Sequence, residues 1–257
     1  MPTRPAHAAS SRPVRTAIAA LGAGLLLAGC SFTDGGPKKT ATADATVGEA
    51  VTAVEVTGAR AGSIEVRPGT GPGVTIRRTV HYRGDTAPTP GQRVSDGVLT
   101  FTNGCTGTAD CFIDYRLEVP ASAAVRLDSS SGRITVTGVA AADLSSDSGE
   151  VKADGIAGPL KVRTSSGRIA AAGLSGPSAD VRSASGDARL DFAAAPKSVT
   201  AEASSGDVTL KVPAAPYEIA VSTTSGDREV TLPTTPSAAS RLSAKTTSGD
   251  VRISAAG

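Results

Sequence analysis

The chain has 257 residues, of which 26 are basic and 24 acidic; 39% are hydrophobic and 3% aromatic, and tryptophan is absent. Three of the basic residues (Arg4, Arg12 and Arg15) fall within residues 1–30, which leaves 23 basic against 24 acidic residues in the remainder. A remainder so balanced offers no charge excess to attract nucleic acid or an anionic lipid surface, and so few aromatic rings argue against a carbohydrate-stacking platform.

Residues 1–30 read as an export signal. The basic start contains no acidic residue, and an apolar run follows from Ala17 to Gly29. As a helix it would span about 20 Å, short of the ~30 Å hydrocarbon core of a bilayer, so it predicts a signal core rather than a membrane span. No adjacent arginine pair points to twin-arginine export. The run ends in Leu27-Ala28-Gly29-Cys30, which resembles the lipobox of bacterial lipoproteins. The resemblance implies that Cys30 becomes the mature N-terminus and carries a thioether-linked diacylglycerol, its thiolate acting as the nucleophile. The protein is then expected on the extracytoplasmic side of the cell membrane, attached through this lipid.

Residues 31–50 hold one large aromatic among small and polar residues, and this composition predicts a flexible tether. Residues 51–120 read as a β section or cap ahead of a repeat. Within it, Cys105 and Cys111 flank a short loop between strand-like segments, and a disulfide closing that loop suits an oxidising compartment. Zinc would need two further ligands, and His81 is the sole histidine after residue 30.

Residues 121–257 contain a turn written seven times. Its glycines are Gly132, Gly149, Gly167, Gly186, Gly206, Gly226 and Gly249, each preceded by serine. Near-regular spacing of this kind marks a repeat architecture in which each unit buries its apolar face against its neighbours. Segments of period-two alternation bracket each turn, such as Val199-Thr200-Ala201-Glu202-Ala203 and Val208-Thr209-Leu210-Lys211-Val212. Proline and glycine break the units apart at Gly158-Pro159, Gly176-Pro177, Pro213–Pro216 and Pro233–Pro236. The expected fold is all-β: a single-stack parallel β-solenoid with two short strands per repeat. An antiparallel β-meander or sandwich is the alternative.

Glycine permits a tight corner, and serine or aspartate can bond the local backbone, so the turns have a structural explanation that needs no ligand. The residue after each glycine is not set by that geometry. It is Arg133, Glu150 and Arg168 early, then Asp187, Asp207, Asp227 and Asp250. Stacked, four carboxylates about 5 Å apart would repel one another by about 1 kcal/mol per neighbouring pair even at water's dielectric. A cation such as calcium would relieve this, as would nearby Arg189, Arg228 and Arg252 or backbone amides. No other cofactor is expected. No Gly-x-Ser-x-Gly elbow or phosphate-cradling loop is present, and the acids recur at equivalent positions, as scaffold residues do.

Leu117-Glu118-Val119-Pro120, followed by Val125-Arg126-Leu127 and repeated Ser-Gly-Asp-Val units, resembles the bacterial putative-adhesin domain of unknown function. The resemblance covers roughly residues 51 to 257 and implies an elongated, exported β structure with no established catalytic residues. The expected role is binding, adhesion or scaffolding in the cell envelope, toward a surface protein or glycan, without catalysis. The alternatives are a polysaccharide-processing enzyme on a solenoid and an accessory partner of a membrane signalling or stress system.

Overall fold

A computed structural model describes residues 37–105 and 110–256. Among these there is no helix, and the strands form two sheets of twelve and ten strands. Five coils, 124–137, 141–154, 160–174, 178–192 and 198–212, stack in chain order. In each, the first strand joins the smaller sheet, the Ser-Gly turn crosses over, and the second strand joins the larger sheet. Alternation sets the faces. Leu127, Leu144, Val162, Val181 and Ala201 fall in register as one inward column, and Ile134, Val151, Ile169, Ala188 and Val208 as another. All ten have no exposed surface. Burial of each larger aliphatic contributes about 1.5–3 kcal/mol, so the stack is held by columns rather than by any single contact. The second corner carries Gly138, Gly155 and Gly173 in left-handed conformation, with φ of 63°, 63° and 60°. Every strand pair within residues 124–255 is parallel, which removes the antiparallel meander.

The N-terminal section departs from its expected form in two ways. Strands Ala53–Val56 and Ile64–Pro68 make a regular coil that pairs in parallel with the strands of coil 124–137. Its turn is Ala61-Gly62-Ser63, and the carbonyl of Gly62 lies where a Cβ on Gly132 would go. An alanine in place of the serine conceals this eighth copy in the sequence. Strands Val98–Thr102 and Phe112–Val119 form the next coil outward, although they follow residues 53–68 in the chain. Antiparallel strands Val74–Tyr82 and Gly91–Ser95 then close the end.

Part of the segment expected to be a tether is ordered. Strands Lys39–Thr42 and Ala45–Val47 pair antiparallel with Val74–Tyr82. Alternating small residues can add a strand to an edge without burying large side chains, which composition alone does not register. Arg78 is 4% exposed and fixes this pairing, donating from Nε to the Ala43 carbonyl at 2.6 Å and from Nη2 to Gln92 at 3.0 Å.

At the other end the stacking order again leaves chain order. The last coil, 241–255, inserts between coil 198–212 and the coil made by Glu218–Ser222 and Arg228–Val230. The inward residues explain the choice. Coil 241–255 offers Leu242, Ala244, Val251 and Ile253, all at most 1% exposed. The outer coil places Ile219, Val221, Arg228 and Val230 at the matching register positions, and Arg228 and Val230 remain exposed. A coil covered on both sides must be apolar at all four positions; a terminal coil tolerates a charge at one.

Candidate binding surface

The turns stack as one column whose glycines answer to close approach more than to bending. A Cβ added to Gly149, Gly167 or Gly186 would collide with the carbonyl oxygen of the preceding turn's glycine. Positive φ, the expected reason for glycine, holds only at Gly206, Gly226 and Gly249, with φ of 149°, 143° and 142°. Three residues before the glycine lies a buried hydroxyl. The oxygens of Ser129, Ser146, Thr164 and Ser183 accept the N–H of Gly132, Gly149, Gly167 and Gly186 at 2.8–3.1 Å. The serine adjacent to glycine is not the acceptor. The spacing Ser/Thr-x-x-Gly was the available signal for this ladder.

The four aspartates come together in the order Asp187, Asp207, Asp250, Asp227. Each Oδ1 accepts the backbone N–H of the next, at 3.2, 2.9 and 3.0 Å. Amides thus supply the compensation for stacking like charges, assisted by Arg189 at 3.7 Å from Asp187 and Arg252 at 2.8 Å from Asp250. The Asp227 N–H and the Arg252 guanidinium together hold Asp250 below the ordinary carboxylate range. Among the described residues no group of three or more His, Cys, Asp or Glu is arranged to hold a metal ion. Earlier in the column, Arg133 and Glu150 neutralise each other at 3.1 Å.

Beside this column, on the outer face of the smaller sheet, a groove of about 430 Å³ crosses five stacked coils. It runs from Ser145 and Asp147 past Arg163 and Ser165, Arg182, Glu202 and Ser204 to Lys245 and Thr247. Strand register makes Arg163 and Arg182 direct neighbours, then Glu202, then Lys245. Arg182 is engaged: its Nε donates to Asp180 at 3.0 Å and it lies 3.9 Å from Glu202. Its hydrogen bond to Asp180, reinforced by the charges of Asp180 and Glu202, raises its pKa further. Among the described residues Arg163 has a single ion pair, to Asp180 at 3.8 Å. Among the described residues, Lys245 has no ion pair, and the hydroxyls of Ser145, Ser165, Ser204 and Thr247 have no hydrogen-bond partner. No sequence motif announced this groove, because its residues lie on five different coils.

The remaining expected sites fall elsewhere. Cys30 lies outside the described residues. Cys105 and Cys111 form a disulfide, with Cα atoms 5.7 Å apart. His81 stacks on Phe112 with ring centroids 4.4 Å apart and bonds through Nε2 to Asp114 at 2.8 Å. The other oxygen of Asp114 accepts both the hydroxyl and the N–H of Ser63 at 2.7 Å. Burial works against this carboxylate, but the bonds from Ser63 and His81 outweigh it and hold Asp114 below its ordinary range. The carboxylate thus stands between the hydroxyl and the imidazole, clamping the Ser63 turn to the end strands.

Fold and surface together define a parallel β-solenoid with a polar groove running along its stacking axis. Residues 95–256 match the Toastrack DUF4097 family, and the chain belongs to it. No curated protein sequence matches the chain. Its fold is similar to a putative adhesin from Bacteroides fragilis, at 12% identity over 85% of this chain and 97% of that one, with a TM-score of 0.48. It is also similar to a putative cell adhesion protein from Clostridium sporogenes, at 11% identity over 86% and 100% of the two chains, with a TM-score of 0.39. A putative adhesin from Parabacteroides distasonis gives 13% identity, 85% and 97% coverage and a TM-score of 0.38.

Proposed function

We propose that this protein is a non-catalytic binding module of the cell envelope, anchored through a lipid on Cys30 and facing the extracytoplasmic side, which holds an extended polymer in the groove beside the turn column. The observation that carries this reading is a row of unpartnered hydroxyls on four of the five coils (Ser145, Ser165, Ser204 and Thr247), set beside the cations Arg163, Arg182 and Lys245. A groove built from one position of a repeat presents similar groups at about 4.8 Å intervals, a spacing suited to a linear ligand rather than a compact one. The disulfide at Cys105–Cys111 fits an oxidising location. Among the described residues strand pairing begins at Lys39, so eight residues separate it from Cys30. The nine steps from Cys30 to Lys39 reach about 30 Å when extended, which keeps the N-terminal end of the stack near the membrane.

The test is cosedimentation of the full-length protein with purified cell-wall material, comparing wild type with a Ser165→Tyr/Ser204→Tyr variant that fills the groove. Wild type should sediment and the filled variant should remain in solution. Equal sedimentation of both, or none by wild type, removes the groove as the binding site. Cys30→Ser should separately release the protein from the membrane fraction; persistence there would remove the lipid anchor.

A further inference from the structure

The polar groove has two ends of different charge, and that asymmetry specifies a ligand chemistry. This inference rests on the groove being the binding surface. Arg163 and Lys245 are its two underused cations: one has a single 3.8 Å pair, and the other has no partner among the described residues. They lie three register steps apart, through Arg182 and Glu202. At ordinary strand spacing that is about 14 Å, too far for one oxyanion to touch both. The free hydroxyls of Ser165, on the coil of Arg163, and of Ser204, on the coil of Glu202, can donate to ligand oxygens along this stretch. The intervening carboxylate, Glu202, lies against Arg182, so its charge is met within the protein. Asp147 sits one coil beyond Arg163 and makes no ion pair among the described residues. It closes that end with negative charge and confines an anionic ligand to the stretch from Arg163 to Lys245.

We infer that the groove binds a linear anionic polymer, a polyol phosphate or an acidic polysaccharide, with Arg163 and Lys245 each taking an oxyanion from separate units of the same chain. Arginine suits such a group because its planar fork pairs two oxygens at once. Two exposed cations bind a divalent polymer better than a monovalent ion because the second contact is intramolecular.

The experiment titrates full-length protein in neutral detergent with poly(glycerol phosphate), polygalacturonate and dextran of similar length, and with inorganic phosphate and vesicles of phosphatidylglycerol. The two anionic polymers should bind, and dextran and phosphate should not. Arg163→Gln with Lys245→Gln should weaken polymer binding by at least roughly tenfold. Arg116→Gln, an exposed cation on the other sheet, should change it less than about twofold, and Arg163→Lys with Lys245 intact should retain most of it. Preference between the two anionic polymers separates phosphate from carboxylate as the recognised group. An equal loss for Arg116→Gln would reduce the binding to general electrostatics and overturn the assignment. Dextran binding abolished by Ser165→Tyr would keep the groove and overturn its anionic ligand. Vesicles binding more tightly than either polymer would replace the polymer with a lipid surface. Binding to none of the probes by a protein that still cosediments with cell-wall material would overturn the anionic chemistry alone.

Discussion

Residues 124–212 stack in the order in which they are written, whereas both ends of the molecule break that order. At the N-terminal end, coil 53–68 lies inside the later segment 98–119; at the C-terminal end, coil 218–230 lies outside the later coil 241–255. Apart from coil 98–119, which has antiparallel neighbours on its outer side, the coils hardly differ in design: two short strands, a glycine turn and parallel neighbours. What differs is the quality of their inward residues and the number of neighbours they need. A middle coil is sandwiched, so any polar residue facing inward loses water on both sides. An end coil has one free side, where Arg228 can keep its hydration. An inward charge and a proline-bounded loop at Pro233–Pro236 also blunt the exposed strand edge against pairing with another chain. At this end the solenoid therefore places its weakest coil outermost, ahead of chain order.

The sharpest way to break this comparison is to load the same turn position in both regions. Gly167→Ala places a Cβ against the Gly149 carbonyl, with coils fixed on both sides, and should cost about 3 kcal/mol of global stability. Gly226→Ala meets the Gly249 carbonyl in the same manner, but the outer coil can lift away. It should cost about 1 kcal/mol, confined to residues 218–230. Chemical denaturation gives the first quantity, and amide exchange resolved by segment gives the second. Equal global losses would mean that the outer coil is as firmly fixed as the middle ones.

The buried hydroxyl ladder offers a second contrast. Thr164→Val keeps the shape but leaves the Gly167 N–H without its acceptor, and should cost about 2 kcal/mol. Ala203→Ser adds the missing hydroxyl one coil beyond the end of the ladder. There the Gly206 N–H already donates to the Ser248 carbonyl at 2.9 Å, so the change should be within about 0.5 kcal/mol of neutral. Urea midpoints of the two variants decide this. A large gain from Ala203→Ser would show that coil 198–212 lacks a bond the others have.

This boundary between regular and irregular coils also marks how far the residues could be read in advance. Period-two alternation and seven glycines pointed to the two-strand coil and to a parallel stack, with a meander still open, and only that stack brings the aspartates together. They were not enough for stacking order, because Ser225-Gly226-Asp227 and Ser248-Gly249-Asp250 look alike locally. The discriminating residue was Arg228, an inward charge that only an end position tolerates. The Gly62 turn was concealed by one alanine, and the pairing of Lys39–Val47 by residues too small to signal a core. The groove was illegible for another reason: Arg163, Arg182 and Lys245 become neighbours only through register, and register belongs to the assembled stack.

Replacing that discriminating residue sharpens the contrast between middle and end. Arg228→Val gives the outer coil a fourth aliphatic in line with Val251 and should steady it by about 1 kcal/mol, slowing amide exchange across 218–230. It also removes the inward charge that guards the edge, so the variant should self-associate with rising concentration where wild type does not. Sedimentation velocity across a concentration series measures this. A stabilised variant that stays monomeric would move the protection of this edge from Arg228 to the Pro233–Pro236 loop.

The smallest expected effect concerns acid, and it probes the two ends separately. Asp114 clamps the N-terminal end and Asp250 lies in the column near the C-terminal end; both have pKa values depressed by folding. A carboxylate with a depressed folded pKa contributes stability that is fully present above its unfolded value of about 4. That contribution fades as pH falls through this value and is gone below the folded pKa. Wild type should therefore lose stability progressively below about pH 4 while remaining level above about pH 5. Asp114→Asn should flatten part of this acid slope with a loss at neutral pH, since the amide keeps one acceptor for Ser63 but cannot serve His81 as an anion. Asp250→Asn should act in the same direction but more weakly, because its groups are exposed and screened by solvent. Segment-resolved amide exchange at pH 3.5 should then show residues 218–230 opening before residues 160–174. If residues 178–212, which carry Asp187 and Asp207, opened as early as residues 218–230, the aspartate column would be holding those coils as much as the apolar columns do.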